Sequence, residues 1–283
     1  MNIFVTGGAG FLGRYIVEEL VRQGCPPSFS AQRLNALTSK NLEGVDTVIH
    51  SAALKPGPHA EAEYKEVNAE GTRHLAEVCA QAGVKRFVQI SSMSVAAERD
   101  VGRCRKERAY SASKREAERH VQASGLRWTI VRPGAVYGPS EWWISYFRLM
   151  KNKRLVPVIG DGEHLIHQIY VNDCARAIAR VAREESSGNI YNASAEPISY
   201  NHYLSVLKSA LRADFRTIYI PMWAGQVYAA GMRHVLRSPR PQFESDPRKD
   251  LTTGFASTID CGARTFELGL AEMLPAVCGR PQA

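Results

Sequence analysis

The chain has 283 residues, of which 45% are hydrophobic and 23% charged, and its formal net charge is +8. This length allows one large globular domain, or a large domain with a small one. No apolar run reaches the roughly 18 residues of a membrane-spanning helix, and Met1–Thr6 lacks the basic start of a signal peptide. The basic residues are scattered, so we expect a pocket for an anionic small ligand and no nucleic-acid partner.

None of the six cysteines forms a CxxC pair or has a histidine at zinc-ligand spacing. Scattered free thiols are typical of a reducing compartment, so we expect a cytoplasmic protein without a metal site. The cysteines are Cys25, Cys79, Cys104, Cys174, Cys261 and Cys278.

Short apolar runs and stretches of helical periodicity alternate along the first two thirds of the chain. This alternation predicts an α/β fold, a doubly wound parallel sheet with helices on both faces. We predict strands over Asn2–Thr6, Asp46–His50, Arg86–Ser91, Trp128–Arg132 and Asn189–Asn192, and helices over Phe11–Gln23, Tyr64–Ala82, Tyr110–Ser124 and Asp173–Glu184, with Asp173 near the N-cap.

Three glycines, Gly7, Gly10 and Gly13, stand between the first predicted strand and the first predicted helix. Without side chains the backbone can turn tightly and approach a pyrophosphate, and the helix N-terminus offers free N–H groups and a positive dipole end. With Phe11 and Leu12 in the same turn, this context predicts a Rossmann site for a dinucleotide, NAD or NADP.

Four further segments resemble motifs of the extended short-chain dehydrogenase/reductase superfamily: Val48–Ala53 (VIHxAA), Asn68–Thr72 (NxxGT), Tyr110–Lys114 (YxxxK) and Arg132–Pro139 (RPxxVYGP). The resemblance covers residues 1–195 and specifies the superfamily rather than a substrate. Leu165–Asp173 is most similar to the branch of 3β-hydroxysteroid dehydrogenases and dihydroflavonol reductase-like enzymes.

The resemblance implies a Rossmann cofactor domain over residues 1–138, to which 164–192 return, and a smaller substrate-binding lobe over 139–163 and 193–283. It also implies the residues that hold the cofactor. These are Gly7, Gly10, Phe11, Leu12, Gly13, Arg33, Ala52, Ala53, Lys114 and Pro133.

The region between Gly24 and Gly44 is too short for the strand, helix and strand that the family usually has there. We therefore expect a shortened second-strand region. The second strand ends near the adenosine ribose, where an acidic residue favours NAD and a basic one NADP. No Asp or Glu occurs from Gly24 to Leu42, whereas Arg33 and Lys40 do, which favours NADP over NAD unless Arg33 is a surface residue.

Tyr110 and Lys114 lie one helical turn apart, so both project from one face of the predicted helix. A ketone that accepts hydride needs a proton, and an ammonium group is expected to lower the pKa of a neighbouring phenol. The resemblance adds Ser92 as the hydroxyl that binds the carbonyl oxygen, with Ser91 as the alternative, and gives Lys114 the nicotinamide ribose. Ser92 and Tyr110 are 18 positions apart, which is short for the family.

Two positions argue against a nucleotide sugar. The family's sugar-nucleotide enzymes carry Asn and Arg where this chain has Ala135 and Ile166. Met93 and Ser94 occupy the positions of the dehydratase acid/base pair. Apolar helices around Trp142–Phe147 and Met222–Leu236 could line an apolar pocket or belong to the core of the lobe.

We therefore expect an NAD(P)H-dependent ketoreductase or alcohol dehydrogenase for an apolar polycyclic small molecule of the steroid, flavonoid or aromatic polyketide type. A sugar-nucleotide epimerase on the same scaffold is the first alternative. A non-catalytic NADP(H)-binding regulator is the second, because Tyr110 could be displaced. Monomer and homodimer both remain open.

Overall fold

The computed structural model describes residues 1–30, 32–96, 105–185, 187–221, 224, 257–259 and 262–278. Its strands are β1 (Ile3–Thr6), β2 (Ser28–Ser30), β3 (Thr47–His50), β4 (Arg86–Ile90), β5 (Arg127–Pro133), β6 (Ala135–Tyr137), β7 (Leu155–Ile159), β8 (Leu165–Ile166), β9 (Gln168–Tyr170), β10 (Asn189–Ala193), β11 (Ile198–Ser199), β12 (Arg216–Ile220) and β13 (Ser257–Thr258). Its helices are α1 (Phe11–Arg22), α2 (Glu61–Tyr64), α3 (Gly71–Gln81), α4 (Arg105–Gln122), α5 (Glu141–Lys151), α6 (Val171–Val181), α7 (Tyr200–Leu211) and α8 (Phe266–Val277). A π-helical turn over Lys65–Glu70 joins α2 to α3.

The central sheet has seven strands in the order β13-β10-β5-β4-β3-β1-β2, and all of its pairs are parallel. The strand order reverses at β1, because β2 and β3 lie on opposite sides of it. In sheets of this type the crevice outside the carboxyl ends of the strands at such a reversal binds the ligand. The predicted α/β Rossmann fold is confirmed.

Helices cover both faces of this sheet, so the strands are apolar on both sides. On one face Val5, Ile49 and Val88 pack in a core with α1 and α6. On the other face Phe4, Val48 and Phe87 pack against α3 and α4. Because successive side chains of β1, β3 and β4 point to opposite faces of the sheet, only every second residue of these strands faces α4.

The region after α1 is shortened, as the sequence predicts. Strand β2 keeps only three residues at the edge of the sheet. Two short 3₁₀ turns, Leu34–Ala36 and Ser39–Leu42, follow it where a helix and a further strand would stand. Burial of Leu34, Leu37 and Leu42 in the core beneath α3 fixes these turns against the domain.

A second core lies among α5, α7, α8 and three two-stranded sheets. Strand β13 pairs with β10, so 257–258 join the central sheet although they fall within 193–283 of the predicted lobe. The division into a cofactor domain and a lobe stays a prediction. The predicted helix Met222–Leu236, apart from Ala224, lies outside the described residues. Among the helices that the structure describes, none has both the length and the apolarity to cross a bilayer.

Several predicted boundaries are wrong, and the predicted helix Tyr64–Ala82 is divided among the end of α2, the π-helical turn and α3. Helix α4 begins at Arg105 rather than Tyr110, because the charged residues before Tyr110 are also good helix formers. Helix α6 begins at Val171 with Tyr170 as its N-cap, so Asp173 lies inside the first turn. The buried Asp173 carboxylate accepts bonds from the Arg264 backbone N–H and guanidinium, which fastens α6 to the segment before α8.

Gly13→Ala tests the packing of the glycine loop. A Cβ at Gly13 would lie 1.9 Å from the carbonyl oxygen of Gly7, and neither backbone can move without unwinding the start of α1. We expect a loss of about 3 kcal/mol in the free energy of unfolding, measured by denaturant titration.

Gly10→Ala is the matched control. Its Cβ would lie 3.1 Å from the same oxygen, and its φ of −75° suits any residue. We expect it to cost less than about 1 kcal/mol. Equal stability of the Gly13 variant and the wild type would contradict this packing.

Candidate active site

Four predicted site residues follow the carboxyl ends of neighbouring parallel strands. Gly7 follows β1, Ala52 comes shortly after β3, and Ser92 follows β4, while Pro133 closes β5. The carboxyl ends of parallel strands meet at one edge of a sheet, and here that edge contains the strand-order reversal. The structure therefore brings these residues to the edge where a cofactor and substrate bind in such folds.

The glycine loop fits a pyrophosphate. Gly7 has φ +68°, and a Cβ there would lie 2.7 Å from the Ala52 backbone nitrogen. Among the described residues, no side chain caps the start of α1, where Gly10 is the N-cap and Phe11 begins the helix. The first N–H groups of α1 are therefore not taken up by a capping side chain and are available to an anion.

The remaining predicted cofactor contacts differ in exposure. Ala52 donates its N–H to the Thr6 hydroxyl at 3.3 Å, and Ala53 is exposed. Arg33 is exposed and immediately precedes the first 3₁₀ turn after β2. Phe29 of β2 is 52% exposed beside Gly8, where a Cβ would lie 2.9 Å from its ring. The exposed Phe29 ring therefore lies beside the glycine loop, and the exposed Arg33 follows β2 in the chain.

The structure brings Ser92, Tyr110 and Lys114 together. Ser92 caps a 3₁₀ turn, accepting the Ser94 N–H at 3.2 Å, and its hydroxyl acts on the Tyr110 phenol to lower its pKa. Lys114 is 3% exposed, and its ammonium donates to the Ile90 carbonyl oxygen at 2.6 Å. The alternative, Ser91, is buried, and its hydroxyl has no hydrogen-bond partner among the described residues.

The expected lowering of the Tyr110 pKa by Lys114 is wrong. Burial raises the pKa of Tyr110 to about 12, and the Ser92 hydrogen bond only partly opposes this. Burial also lowers the pKa of Lys114 to about 8, while Glu118 acts to raise it. Desolvation dominates for both groups because each lies between α4 and the sheet edge. At neutral pH Tyr110 is therefore a neutral phenol and Lys114 a buried ammonium.

His50 is a site residue that the sequence pattern did not single out. Its Nδ1 lies 2.6 Å from the Thr6 hydroxyl and its Nε2 lies 3.0 Å from the Thr72 hydroxyl. Thr6 accepts from the Ala52 N–H, and Thr72 donates to the Asn68 carbonyl at 2.6 Å. Both hydroxyls are thereby oriented, so the network assigns a neutral His50 with its proton on Nε2.

Burial, with a smaller contribution from the Lys114 charge, lowers the pKa of His50 to about 3. A protonated ring would turn Nδ1 into a donor towards Thr6, in place of the acceptor that the network assigns to it. The signal in the sequence was the His that ends the otherwise apolar run Val48–His50. Its partners lie on other elements, so the run alone could not give its role.

Asn68 fixes α4 against the segment that follows β3. Its amide accepts from the Leu54 N–H at 2.7 Å and donates to the Leu54 carbonyl at 3.1 Å. It also donates to the Ser113 hydroxyl at 3.1 Å, next to Lys114 in the chain. Tyr64 packs edge-on against Tyr110 with ring centroids 5.9 Å apart. These contacts position the helix that carries Tyr110.

The positions that bear on the substrate are apolar. Ile166 is 8% exposed in the core of the lobe, and Ala135 is exposed on β6. The aromatic group of α5 divides in two: Trp143 packs with Phe147 in the core, whereas Trp142 is 51% exposed. Core packing thus accounts for most of this aromatic group.

Glu70, Glu116 and His120 place one possible metal ligand each within 4.8 Å of one another, between α4 and the π-helical turn before α3. Arg73 already bonds Glu70 at 2.9 Å, and Lys65 lies 4.0 Å from Glu116. Cations of the chain therefore accompany both carboxylates. The expected absence of a metal site stays a prediction.

Residues 3–194 match the pattern of the NAD dependent epimerase/dehydratase family. The chain belongs to this family. The match covers nearly the stretch 1–195 that carries the resemblance to extended short-chain dehydrogenases/reductases, and it confirms that prediction. Because the family is NAD dependent, the expectation of an NAD(P) cofactor is also confirmed, and the glycine loop of this chain fits one.

The relatives differ in what they act on. Sterol-4-alpha-carboxylate 3-dehydrogenase, decarboxylating, of Homo sapiens is 27% identical over 77% of this chain and 69% of its own length. The dTDP-glucose 4,6-dehydratase of Streptomyces griseus is 26% identical over 91% of this chain and 93% of its own. MoeE5, solved in complex with UDP-glucose and NAD, is 26% identical with a TM-score of 0.70, covering 97% of each chain. Both a sterol enzyme and sugar-nucleotide enzymes are thus similar to this chain.

His50→Gln tests whether the buried neutral imidazole makes the fold acid-sensitive. The folded pKa lies below the ordinary 6.5, so its contribution is fully present above pH 6.5 and is lost as pH falls towards 3. We expect the free energy of unfolding of the wild type to fall by about 2 kcal/mol more than that of the variant between pH 7 and pH 5.

The control for this series is His202→Gln, which removes an imidazole with a 53% exposed side chain. It reports the effect of removing an imidazole that remains in contact with solvent. Parallel pH profiles for the His50 variant and the wild type would show that His50 titrates normally in the folded protein.

Proposed function

We propose that the chain is an NAD(P)(H)-dependent oxidoreductase that interconverts a ketone and a secondary alcohol on an apolar, polycyclic small molecule. The observation that carries this proposal is the placement of Tyr110 at the carboxyl edge of the sheet, where the Ser92 hydroxyl acts to lower its pKa. Lys114 lies buried one turn further along α4, and the glycine loop opens from the same edge. A proton donor, an oxygen-binding hydroxyl and a cofactor cradle therefore share one edge.

The residues divide the chemistry of ketone reduction among them. A nicotinamide held by the glycine loop and Lys114 would supply the hydride for the carbonyl carbon. Tyr110, protonated at neutral pH because its pKa is raised to about 12, donates its proton to the carbonyl oxygen. Ser92 donates a hydrogen bond to that oxygen as negative charge develops on it. Lys114, one helical turn from Tyr110, provides a buried positive charge and donors for the ribose hydroxyls.

Arg33 supports a preference for NADP. It is exposed just after β2, and no Asp or Glu lies between Gly24 and Leu42 to bind ribose hydroxyls instead. A guanidinium recognises a phosphate by charge and by paired hydrogen bonds. NADPH should therefore bind more tightly than NADH, and Arg33→Gln should reduce that difference.

An apolar substrate is supported by the side chains near the lobe. Ile166 occupies the position where sugar-nucleotide enzymes of the superfamily carry Arg, and it is buried against the core of the lobe. It offers no charge partner to a diphosphate. The similarity to a sterol 3-dehydrogenase points to the same kind of substrate. We also propose that the protein is cytoplasmic and is either a monomer or a homodimer.

A sugar-nucleotide epimerase is the second candidate, because MoeE5 matches 97% of the chain and binds UDP-glucose in its solved structure. Met93 and Ser94 disfavour a dehydratase, since neither side chain replaces a carboxyl acid/base pair. Calorimetric titration with UDP-glucose distinguishes the two candidates. Saturable binding would favour the epimerase, and its absence alongside NADPH binding would favour an apolar ketone.

Tyr110→Phe tests the proposed proton donor. Removing the hydroxyl abolishes general-acid catalysis while keeping the ring that packs on Tyr64, so kcat for ketone reduction should fall about 100-fold or more. The assay is NADPH oxidation with a panel of polycyclic ketones. Tyr64→Phe is the matched control, since it removes a neighbouring phenol that bonds backbone groups of residues 55–57.

Two results would contradict these roles. Unchanged turnover after Tyr110→Phe would remove Tyr110 as the donor while keeping the reductase. NADPH binding without turnover on any ketone or nucleotide sugar would instead favour the non-catalytic regulator.

A further inference from the structure

A buried ion pair links α4 to β5 behind the proposed active site. Arg132 donates from Nε to one Glu118 carboxylate oxygen at 2.9 Å and from Nη2 to the other at 2.7 Å. The Glu118 side chain is 5% exposed and that of Arg132 14%. Two parallel bonds of this kind fix both side chains in one orientation.

Glu118 lies one helical turn beyond Lys114, on the same face of α4. The Lys114 ammonium is buried, and it donates a hydrogen bond to a neutral acceptor, the Ile90 carbonyl. Among the described residues, the anion that acts on Lys114 is Glu118. Lys114 and the carboxylate that Arg132 binds therefore lie one turn apart on the same helix.

The other titratable groups around Lys114 are neutral at pH 7. The pKa of His50 lies near 3, so the imidazole carries no charge. The pKa of Tyr110 lies near 12, so the phenol carries none either. The groups surrounding the ammonium and its neighbours are His50 from β3, Tyr64 from α2, Tyr110 and Glu118 from α4, and Arg132 from β5.

We propose that Glu118 and Arg132 are positioning residues that set the charge of Lys114. Glu118 keeps the ammonium protonated in a site that disfavours charge, and Arg132 prevents the carboxylate from turning to Lys114 as a direct partner. This inference rests on the proposed function, in which Lys114 must be cationic yet keep its donors free for the ribose. The pair thereby stabilises the charged form of Lys114 without occupying its N–H groups.

The two partners should have opposite effects when each is neutralised. Glu118→Gln removes the anion and leaves the Arg132 cation on β5 without its carboxylate, so the pKa of Lys114 should fall. Arg132→Gln leaves an unpaired carboxylate one turn away, so the pKa of Lys114 should rise. Opposite charges at short range shift such a pKa by about 1 pH unit or more.

The measurement is NMR titration of the cofactor-free protein labelled at the lysine ¹³Cε atoms, with the Lys114 signal assigned by its loss in Lys114→Arg. The wild-type signal should titrate near pH 8. The midpoints should rank, from high to low, as Arg132→Gln, wild type, the double variant E118Q/R132Q and Glu118→Gln. Glu118 lies on the same helix as Lys114, one turn away, whereas Arg132 reaches the site from β5. The loss of the Glu118 charge should therefore change the Lys114 pKa more than the loss of the Arg132 charge, which places the double variant below the wild type.

Arg264→Gln is the matched control. It breaks a comparable pair with the buried Asp173 on α6 and should lower stability without moving the Lys114 midpoint. If a single variant does not fold, the test uses the double variant and Arg132→Lys. The double variant leaves no unpaired charge, and Arg132→Lys should titrate close to the wild type.

Midpoints that stay at the wild-type value in the variants, or that move in the same direction for Glu118→Gln and Arg132→Gln, would overturn the inference. The titration needs neither substrate nor turnover. If the proposed function fails while the midpoints move in opposite directions, the pair still sets the charge of Lys114. If turnover is found while the midpoints do not move, the proposed function stands without this device.

Discussion

The architecture of the site depends on the burial of one ammonium group, that of Lys114, between α4 and the sheet. A cation in such a place is costly unless neighbouring groups stabilise it. The face of the sheet beneath α4 is accordingly polar near its carboxyl edge, where His50 and Arg132 replace the apolar residues found deeper in the strands. Deeper in the same face, Val48 and Phe87 form an ordinary apolar core.

This polar layer connects the cofactor loop to the catalytic helix. Thr6, the last residue of β1, binds the Ala52 N–H and His50, and His50 binds Thr72 at the start of α3. Asn68 then links the same segment to Ser113 on α4. Each of these buried donors is paired with an acceptor, so hydrogen bonds connect the loop after β1 to the helix that carries Tyr110. Such rigidity is what a site needs in order to hold a cofactor and a carbonyl at reacting distance.

Much of this could be read from the sequence because it is local. The glycine loop occupies seven consecutive residues, and Tyr110 and Lys114 lie on one turn of one helix. The loss of elements after α1 could be counted directly from the distance between Gly24 and Gly44. Resemblance to a superfamily then supplied Ser92, which the structure brings into contact with Tyr110.

The parts that could not be predicted depend on tertiary contacts. The pKa of Tyr110 was expected to fall, but it rises because desolvation, which only the folded chain creates, outweighs the other effects. His50 and the Glu118–Arg132 pair gain their roles from partners on other elements. The boundary of α4 was misplaced since the residues before Tyr110 are charged, and charge gives little periodic signal.

An oxidoreductase leaves the cofactor oxidised or reduced after each turnover, whereas an epimerase returns it to its starting redox state. Incubation with NADPH that carries deuterium at both positions of nicotinamide C4 and with a polycyclic ketone, followed by mass spectrometry of the product, tests this difference most directly. For an oxidoreductase we expect net oxidation of NADPH and one deuterium on the carbinol carbon, with both lost together in Tyr110→Phe. Turnover of a nucleotide sugar without net oxidation of cofactor would contradict the proposed oxidoreductase.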